Sequence, residues 1–292
     1  MSRVNFYRKF DFYYAEKFIR NALREDIGRG DVTTDLLIPK SNYSKANLLL
    51  KEDGIVAGIE IFKLVFNIVD KKIKIRTFQP EGVFLKNGLK IAEIKGQSGN
   101  ILKAERVSLN IIQRMSGIST AVNALKQQLS NPDIKLVDTR KTTPNFRIFE
   151  KLAVKIGGGE NHRSGLYDMI LIKDNHIMAN GGIEKTLIKL QNKFKRNKEL
   201  KVEIEVKDIN EFLKVLDMGR NLVNIVMLDN FSYNNIRKVI RLNREVFKIE
   251  VSGGININNI AEYGKIKGID IISSGALTHS VKSLDLALDF IS

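Results

Sequence analysis

Two histidines, an arginine and a lysine lie within one glycine-rich stretch, GGGENHRSGLYDMILIKDNH, at residues 157–176. The 292-residue chain has only three histidines, and two of them, His162 and His176, fall here beside Arg163 and Lys173. Arginine offers a planar fork that matches a carboxylate or a phosphate, and lysine offers a compact charge. The stretch is therefore typical of a site for a multiply charged anion, and solvated loop charges are the alternative for any single residue.

Further polar residues close each of six short, β-branched apolar runs that recur from residue 134 onwards. The runs are IKLVDTRKT, MILIKDNH, KVEIEV, NIVMLDN, KIEVSGG and DIISSGA. The residues at or near their ends are Asp138, Arg140 and Lys141; Lys173 and Asn175; Glu205; Asp229; Ser252, Gly253 and Gly254; and Ser273, Ser274 and Gly275. The carboxyl ends of the strands of a parallel α/β barrel gather on one face, where active sites lie. We therefore expect these residues to converge.

An acidic pair, Glu205 and Asp229, belongs to the third and fourth runs. Carboxylates at this place suit either Mg²⁺, which prefers oxygen ligands, or the hydroxyls of a ribose. Alternation along a strand sends Glu203 and Glu205 to the same side, so the pattern does not choose between them. A buried ion pair with arginine or lysine is the structural alternative.

The last two runs end in SGGI and SSGA, each followed by a segment predicted as helix. Glycines let backbone N–H groups approach a phosphate, and barrels often bind phosphate with the loops of their last strands. A small-residue turn without a ligand is the alternative. Since no nucleophile elbow, nicotinamide fingerprint or Walker pattern occurs, the residues favour transfer at an anomeric carbon through positioning and electrostatics.

The elements that must position these residues follow from periodicity. Helix is predicted up to about residue 27, and β texture from about 45 to 102, interrupted by a helix at IEIFKLVFNIV. A long amphipathic stretch from residue 103 follows, in which we expect Gly117 to interrupt the helix. Strand and helix then alternate, as in a parallel sheet closed into a barrel. We predict an α+β domain over 1–115 and an α/β barrel over 116–292.

Composition excludes several classes of protein. The chain has no cysteine, so disulfides, thiolate metal sites and cysteine nucleophiles are excluded. No apolar run reaches membrane-spanning length, and the N-terminus lacks a signal-peptide core, so we expect a cytoplasmic protein without membrane contact. The formal charge is +15, but the lysines are spread along the chain and no nucleic-acid-binding motif accompanies them. A small, highly anionic substrate is the favoured partner rather than nucleic acid.

Nearly the whole chain resembles the quinolinate phosphoribosyltransferases, also called carboxylating nicotinate-nucleotide pyrophosphorylases. The motifs that carry the resemblance are REDIGRGDVTTDLL, ERVSLNIIQRMSGIST, DTRKTTP, GGGENHRSGLYDMILIKDNH, EIEV, MLDNF, EVSGGI and DIISSGALTHS. The resemblance implies an N-terminal open-faced sandwich domain and a C-terminal α/β barrel of six or seven strands. It also implies a reaction of quinolinate with 5-phosphoribosyl-1-pyrophosphate and Mg²⁺, giving nicotinate mononucleotide, pyrophosphate and CO₂ in de novo NAD biosynthesis.

The resemblance also implies roles for individual residues. Arg140, Lys141, His162 and Arg163 would hold the two quinolinate carboxylates, and Lys141 and Lys173 would face the phosphoribosyl pyrophosphate. Glu205 and Asp229 would bind its ribose hydroxyls, directly or with the metal, and would form the catalytic set with the two lysines. The 5′-phosphate would lie on Ser252, Gly253, Gly254, Ser273 and Gly275. Arg106 resembles an arginine that reaches into the neighbouring subunit's site, which implies a homodimer.

The chain departs from the family pattern in three places. Asn145 follows KTTP where glycine is usual, the stretch from Glu205 to Asp229 is longer than usual, and Ser274 stands where methionine is common. Asparagine tolerates a left-handed backbone, so the turn at Asn145 is expected to survive. The alternatives in function are a molybdenum-associated relative, a nicotinate phosphoribosyltransferase that handles one carboxylate without CO₂ release, and an anion- or nucleic-acid-binding protein with a decayed barrel site.

Overall fold

The computed structural model of the chain describes residues 6–194 and 200–291. In chain order its elements are α1 (Phe12–Ile27), α2 (Val32–Leu37), β1 (Tyr43–Leu50), β2 (Gly54–Ile55), α3 (Ile59–Val69), β3 (Lys74–Thr77), β4 (Phe84–Leu85), β5 (Lys90–Gln97), α4 (Ser98–Gln128), β6 (Lys135–Val137), α5 (Arg147–Ile156), β7 (Ile170–Ile172), α6 (Asp174–Ala179), α7 (Ile183–Lys193), β8 (Val202–Val206), α8 (Ile209–Met218), β9 (Ile225–Asp229), α9 (Tyr233–Asn243), β10 (Lys248–Ser252), α10 (Ile260–Gly264), β11 (Ile271–Ser273), α11 (Ala276–His279) and β12 (Leu286–Ile291). No helix among the described residues is long and apolar enough to cross a membrane.

Packing divides the chain into two compact units, each made of separate segments. The first contains the described residues of Met1–Asn123 with Thr142–Gly158 and Ser280–Ser292, and the second contains Ala124–Lys141 and Gly159–His279. The boundary between residues 115 and 116 stays a prediction. The first five residues of the region predicted as helix lie outside the described residues.

The first unit is built on an antiparallel sheet with the strand order β12-β1-β5-β3. In β1 the residues Ala46, Leu48 and Leu50 are buried, at the period of two that a strand with one covered face shows. The segment IEIFKLVFNIV forms α3 as predicted, with five buried apolar residues. The C-terminal strand β12 pairs with β1 from Lys45–Ile291 to Leu50–Leu286, a long-range pairing that the local pattern did not indicate.

The prediction that Gly117 interrupts the long helix is wrong. Helix α4 runs without a break from Ser98 to Gln128. A methyl group on Gly117 would lie 2.1 Å from the carbonyl oxygen of Lys282 and 3.0 Å from Cα of Ser283. Glycine is therefore required here by the close approach of another backbone segment within the same unit, and the helix tolerates its conformational freedom.

The second unit is built on a parallel sheet with the strand order β6-β11-β10-β9-β8-β7. All six strands predicted from the apolar runs are confirmed. Between them along the chain lie helices, as the alternating pattern predicted. The parallel six-stranded order, with β6 and β7 at its edges, is consistent with an α/β barrel. A single parallel bridge between Val137 and Glu160 extends the edge at β6.

The register of the strands determines which side chains share the interior of the barrel. Val137, Ile225 and Ile271 are buried and form one apolar cluster. Paired residues of neighbouring strands point to the same side, and every second residue returns to it. Glu203 pairs with Ile225, Met227 pairs with both Glu205 and Glu250, and Asp229 pairs with Ser252. The interior therefore becomes more polar towards the carboxyl ends of the strands.

Candidate active site at the carboxyl ends of the barrel strands

His162 contacts two buried glutamates inside the second unit. Its Nε2 lies 3.0 Å from Oε2 of Glu203 and 3.4 Å from Oε2 of Glu250. Both glutamates are completely buried, and the His162 side chain is 10% exposed. We call these three residues the buried His–Glu–Glu cluster. On their own strands, Glu203 lies two residues before Glu205 and Glu250 lies two residues before Ser252, so both are further from the carboxyl end of the strand.

The buried cluster holds a proton more tightly than isolated groups would. Burial lowers the pKa of His162, but the hydrogen bond to Glu203 and the nearby carboxylate of Glu250 outweigh it and raise that pKa to about 10. Burial also raises the pKa of Glu203, with a further contribution from the charge of Glu250. Nδ1 of His162 accepts the backbone N–H of Arg163 at 2.8 Å, so Nδ1 carries no proton. We therefore assign the proton that this cluster retains to the two glutamate carboxylates and not to Nδ1, and treat the three groups as titrating together.

The loop that carries Arg163 is held by two carboxylates. The backbone N–H of His162 donates to Oδ1 of the fully buried Asp138 at 2.9 Å. Two residues later, the backbone N–H groups of Ser164 and Gly165 donate to Asp168 at 2.6 and 3.1 Å. Short side chains that accept backbone hydrogen bonds in this way fix a loop without regular structure.

Arg163 and Arg140 are two like charges that act on each other. Arg163 is only 9% exposed, whereas Arg140 is exposed. Burial lowers the pKa of Arg163, and the neighbouring charge of Arg140 lowers it further, against weaker opposing effects of Glu203 and Asp168. A buried guanidinium beside a second one is unfavourable unless an anion joins them, so this arrangement fits a ligand with more than one negative charge.

Lys141 is positioned by the loop after β11. A methyl group on Gly275 would lie 2.9 Å from Cδ of Lys141, so glycine leaves room for the lysine chain. The backbone carbonyl of Lys141 accepts the hydroxyl of Thr278 at 2.7 Å. The predicted convergence of the first and last barrel strands is confirmed for these two residues, and their contact with a ligand stays a prediction.

Lys173 and Glu205 form an ion pair, with 3.1 Å between Nζ and Oε2. The Glu205 side chain is 11% exposed and that of Lys173 is 46% exposed, so the pair faces the open end of the barrel. The backbone N–H of Lys173 donates to Nδ1 of His176 at 2.9 Å, so His176 caps the start of α6. The structure thus separates the two glutamates that alternation could not: Glu203 contacts His162, and Glu205 contacts Lys173.

Asp229 lies at the carboxyl end of β9 beside the glycine loop that follows β10. Its Oδ2 accepts the side-chain N–H of Asn230 at 2.9 Å. Gly253 has φ 103°, and a methyl group on it would lie 2.2 Å from Oδ1 of Asn230 and 2.8 Å from its backbone nitrogen. Only glycine fits this backbone and this contact.

The two glycine loops lie after neighbouring strands, β10 and β11. Gly254 has φ 59° and open space where a side chain would be. Ser274 is buried and donates to the carbonyl of Ile255 at 2.6 Å, which ties the second loop to the first. The hydroxyl of Ser273 is buried and has no hydrogen-bond partner among the described residues. The helices that follow, α10 and α11, have only five and four residues, so backbone N–H groups rather than long helices supply any phosphate site here.

Glu205 and Asp229 suit Mg²⁺ by the chemistry of their donor atoms. Both are carboxylates near the carboxyl ends of neighbouring strands, and their side chains face the same side of the sheet. Mg²⁺ takes an octahedral set of oxygen ligands and usually keeps water and substrate phosphates among them. Two carboxylates fit that requirement when a bound polyphosphate supplies further oxygens.

Two of the predicted residues belong to the first unit. Arg106 is exposed on α4, and its contribution to a neighbouring subunit stays a prediction. Asn145 has φ 61°, so the expected left-handed turn after KTTP is confirmed. Its carbonyl accepts the hydroxyl of Tyr14 at 3.1 Å.

Sequence reasoning missed Glu250 as a member of the site. Its signal is a carboxylate between the apolar residues Ile249 and Val251, in a run typical of a strand that is covered on both faces. Such a charge is rarely buried without a partner. The pattern could have marked Glu250 as unusual, but it could not name His162 as the partner.

Two family models match the chain. The one described as the N-terminal domain of quinolinate phosphoribosyl transferase matches residues 31–116, and the one described as its C-terminal domain matches residues 118–289. The latter match covers more than half of the chain.

Similar proteins and structures agree with the family models. The chain is 39% identical to a protein of Nicotiana tabacum named quinolinate phosphoribosyltransferase (decarboxylating) 2b, mitochondrial, over 94% of this chain and 82% of that protein. It is 38% identical to the probable nicotinate-nucleotide pyrophosphorylase (carboxylating) of Bacillus subtilis, over 94% and 92%. The solved structure of the nicotinate-nucleotide pyrophosphorylase from Francisella tularensis matches with a TM-score of 0.89 and 37% identity, over 97% of this chain and 98% of that one.

Proposed function

This chain belongs to the quinolinate phosphoribosyltransferase family, and from that membership we propose that it joins quinolinate to 5-phosphoribosyl-1-pyrophosphate. The products are nicotinate mononucleotide, pyrophosphate and CO₂. The fold supports the proposal, since an α+β part and a parallel six-stranded α/β barrel recur in the Francisella tularensis structure. The chain is then a phosphoribosyltransferase that supplies a pyridine nucleotide for NAD biosynthesis.

The observation that carries the proposal is the buried guanidinium of Arg163 beside Arg140. Quinolinate is a dianion with two adjacent carboxylates, and each arginine fork can donate two hydrogen bonds to one carboxylate. Binding of the dianion removes the repulsion between the two arginines. Lys141 is the third cation of this set and contacts the dianion from the barrel rim. A substrate with one carboxylate would accept hydrogen bonds from fewer of these donors.

The chemistry follows from orientation and charge. The ring nitrogen of quinolinate attacks C1 of the ribose, the C1–O bond to pyrophosphate breaks, and the ring nitrogen becomes positively charged. The bond from C2 to its carboxylate then breaks to release CO₂, and the electron pair left on C2 is stabilised by the adjacent cationic nitrogen until a proton from water adds. Arg140 and Arg163 hold the carboxylates and exclude water from them, so no decarboxylation cofactor is needed.

The phosphoribosyl pyrophosphate binds to the remaining polar residues at the same end of the barrel. Glu205 and Asp229 bind the ribose hydroxyls, and Lys173, released from its ion pair with Glu205, neutralises the leaving pyrophosphate. The 5′-phosphate lies on the backbone of Ser252, Gly253, Gly254, Ser273 and Gly275. Glu205 and Asp229 would hold Mg²⁺ together with substrate oxygens, and the ion would supply positive charge that offsets the charge of the pyrophosphate.

Assembly and compartment are the remaining parts of the proposal. A homodimer in which the exposed Arg106 reaches the partner's dianion site follows from the family resemblance. Arg106→Ala is then expected to raise the KM for quinolinate without changing the KM for phosphoribosyl pyrophosphate. A cytoplasmic location rests on the sequence alone, and the Nicotiana tabacum relative is named as mitochondrial.

The test is turnover by the purified chain with Mg²⁺, phosphoribosyl pyrophosphate and either quinolinate or nicotinate. Nicotinate mononucleotide and CO₂ in equal amounts from quinolinate, with little product from nicotinate, is the expected result. Product from nicotinate alone would leave the phosphate site in place and contradict the dicarboxylate site. Absence of product from both substrates would favour the molybdenum-associated relative, and salt-sensitive binding of duplex DNA without turnover would favour a nucleic-acid-binding protein.

Asp229→Asn is expected to lower kcat/KM for phosphoribosyl pyrophosphate about a hundredfold. The loss corresponds to about 2.7 kcal/mol, the size of one charged hydrogen-bonding partner. The amide keeps the shape of the side chain but withdraws one anionic ligand from the metal, so the Mg²⁺ concentration at half-maximal rate should rise as well. Steady-state titrations of both components measure these changes. Asp217→Asn, an exposed residue near the end of α8, is the control, and an equal loss in both variants would contradict the assignment.

A further inference from the structure

The buried His–Glu–Glu cluster contains more carboxylate than a single histidine satisfies. Glu203 comes from β8 and Glu250 from β10, and the two strands flank β9. Both side chains are completely buried. Neither oxygen of Glu250 and only one oxygen of Glu203 has a hydrogen-bond partner among the described residues. Buried carboxylates are costly, so their presence beneath the proposed dianion site needs a reason.

A metal ion is one candidate occupant, since ligand atoms of the three residues lie within 4.8 Å of one another. Histidine ligands of metals donate their second ring N–H to an acceptor. In this structure Nδ1 of His162 faces a donor, the backbone N–H of Arg163, at 2.8 Å. The lone pair of Nδ1 is therefore used, and Nε2 carries the ring hydrogen and donates to Glu203 at 3.0 Å. The geometry disfavours a metal at Nε2 and favours a hydrogen-bond relay.

The relay ends on the residue that carries the dianion-binding fork. From Glu203 it passes through the imidazole ring to the peptide N–H of Arg163. The preceding peptide N–H, that of His162, donates a hydrogen bond to Asp138. The backbone from which the Arg163 side chain departs is thus fixed by two buried anchors, and loss of either one would let the guanidinium shift.

We propose that Glu203 and Glu250 are positioning residues for Arg163: they orient the His162 ring through Nε2, so that Nδ1 holds the Arg163 N–H and places its guanidinium for the dicarboxylate. The inference rests on the proposed function of the same site. His162 then acts through Arg163, and Glu203 and Glu250 touch neither substrate. Glu203 accepts the Nε2–H of His162, and Glu250, on β10, limits the movement of the ring.

The test separates the two KM values. Glu203→Leu removes the acceptor and is expected to raise the KM for quinolinate about tenfold or more, as displaced substrate-positioning groups do, while the KM for phosphoribosyl pyrophosphate stays within about twofold. Glu203→Gln keeps an oxygen that accepts Nε2–H and is expected to restore the quinolinate KM to within about threefold of wild type. In case Glu203→Leu does not fold, His162→Gln serves as well, since its amide reaches the Nε2 position but not the Arg163 N–H.

A double-mutant cycle tests whether Glu203 acts through the ring. In a His162→Gln background, Glu203→Leu should add less than about a twofold change, because the relay is already broken. Met227→Ala is the matched control, because Met227 lies at the same level of the barrel interior as Glu250. It should lower the melting temperature and leave the ratio of the two KM values unchanged.

Several outcomes would overturn the proposal. These are an equal rise in both KM values for Glu203→Leu, a Glu203→Gln variant as impaired as Glu203→Leu, or independent effects in the double-mutant cycle. Stoichiometric zinc or manganese in purified wild-type protein that is lost in Glu250→Gln would also overturn it in favour of a metal site. If wild-type protein makes no product from quinolinate, the proposed function fails instead, so the two failures are distinguishable.

Discussion

Arg163→Met is expected to lower kcat/KM for quinolinate about a thousandfold without lowering the melting temperature. The guanidinium would make two charged hydrogen bonds to the dianion, each of about 2 kcal/mol, and a loss of about 4 kcal/mol corresponds to that factor. In the free protein the same guanidinium is buried beside Arg140. Methionine fills similar space and removes the repulsion, so activity and stability should change independently.

Steady-state kinetics and thermal unfolding of the Arg163→Met variant measure both expectations. Quinolinate should raise the melting temperature of the wild type, because a ligand that binds only the folded state stabilises it, and should have little effect on the variant. Arg220→Met is the control, at an exposed arginine just after α8 whose Nε donates to the carbonyl of Leu216. A variant that loses stability and keeps its quinolinate KM would show that Arg163 is a structural residue.

Gly117→Ala is expected to destabilise the fold by about 3 kcal/mol, the upper end of the usual cost of overpacking. Helix propensity alone predicts the opposite sign, since alanine is more favourable than glycine within a helix by about 1 kcal/mol. The added methyl would lie 2.1 Å from the carbonyl oxygen of Lys282, and the next contacts are also backbone atoms. Backbone cannot rotate away as a side chain can, so the helix and the segment before β12 must separate.

Urea unfolding of Gly117→Ala gives the change in the free energy of unfolding directly. Lys126→Ala, at an exposed position of the same helix, should stay within about 0.5 kcal/mol of wild type. A stabilised Gly117→Ala variant would mean that the segment at Lys282 does not approach α4 in solution as it does in this structure.

Local sequence determined most of the elements of both units. The alternation in β1, the apolar spacing in α3 and the six apolar runs of the barrel each depend on residues close together in the chain, whose burial pattern has the period of a strand or a helix. The left-handed turn at Asn145 was likewise predictable, because few side chains tolerate that backbone. The motifs also indicated the family, and with it the expected reaction.

Pairings between distant segments were not predictable in the same way. The apolar pattern of β12 does not indicate that β12 pairs with β1. A glycine at position 117 is equally compatible with a break in the helix and with the close approach of another backbone segment, so the residue type alone does not distinguish them. Contacts of this kind depend on which surfaces meet after folding. No periodicity within one segment encodes them.

The same distinction holds for the site. The sequence alone determined which charged residues lie at the ends of the barrel strands, because each apolar run and the residues that end it are contiguous in the chain. Only the tertiary structure decided that Glu203 lies against His162 while Glu205 lies against Lys173, and that Glu250 joins the former. The physical reason is register: two glutamates that share one side of a strand are separated by a single step of alternation, and the neighbouring strands decide what each one meets.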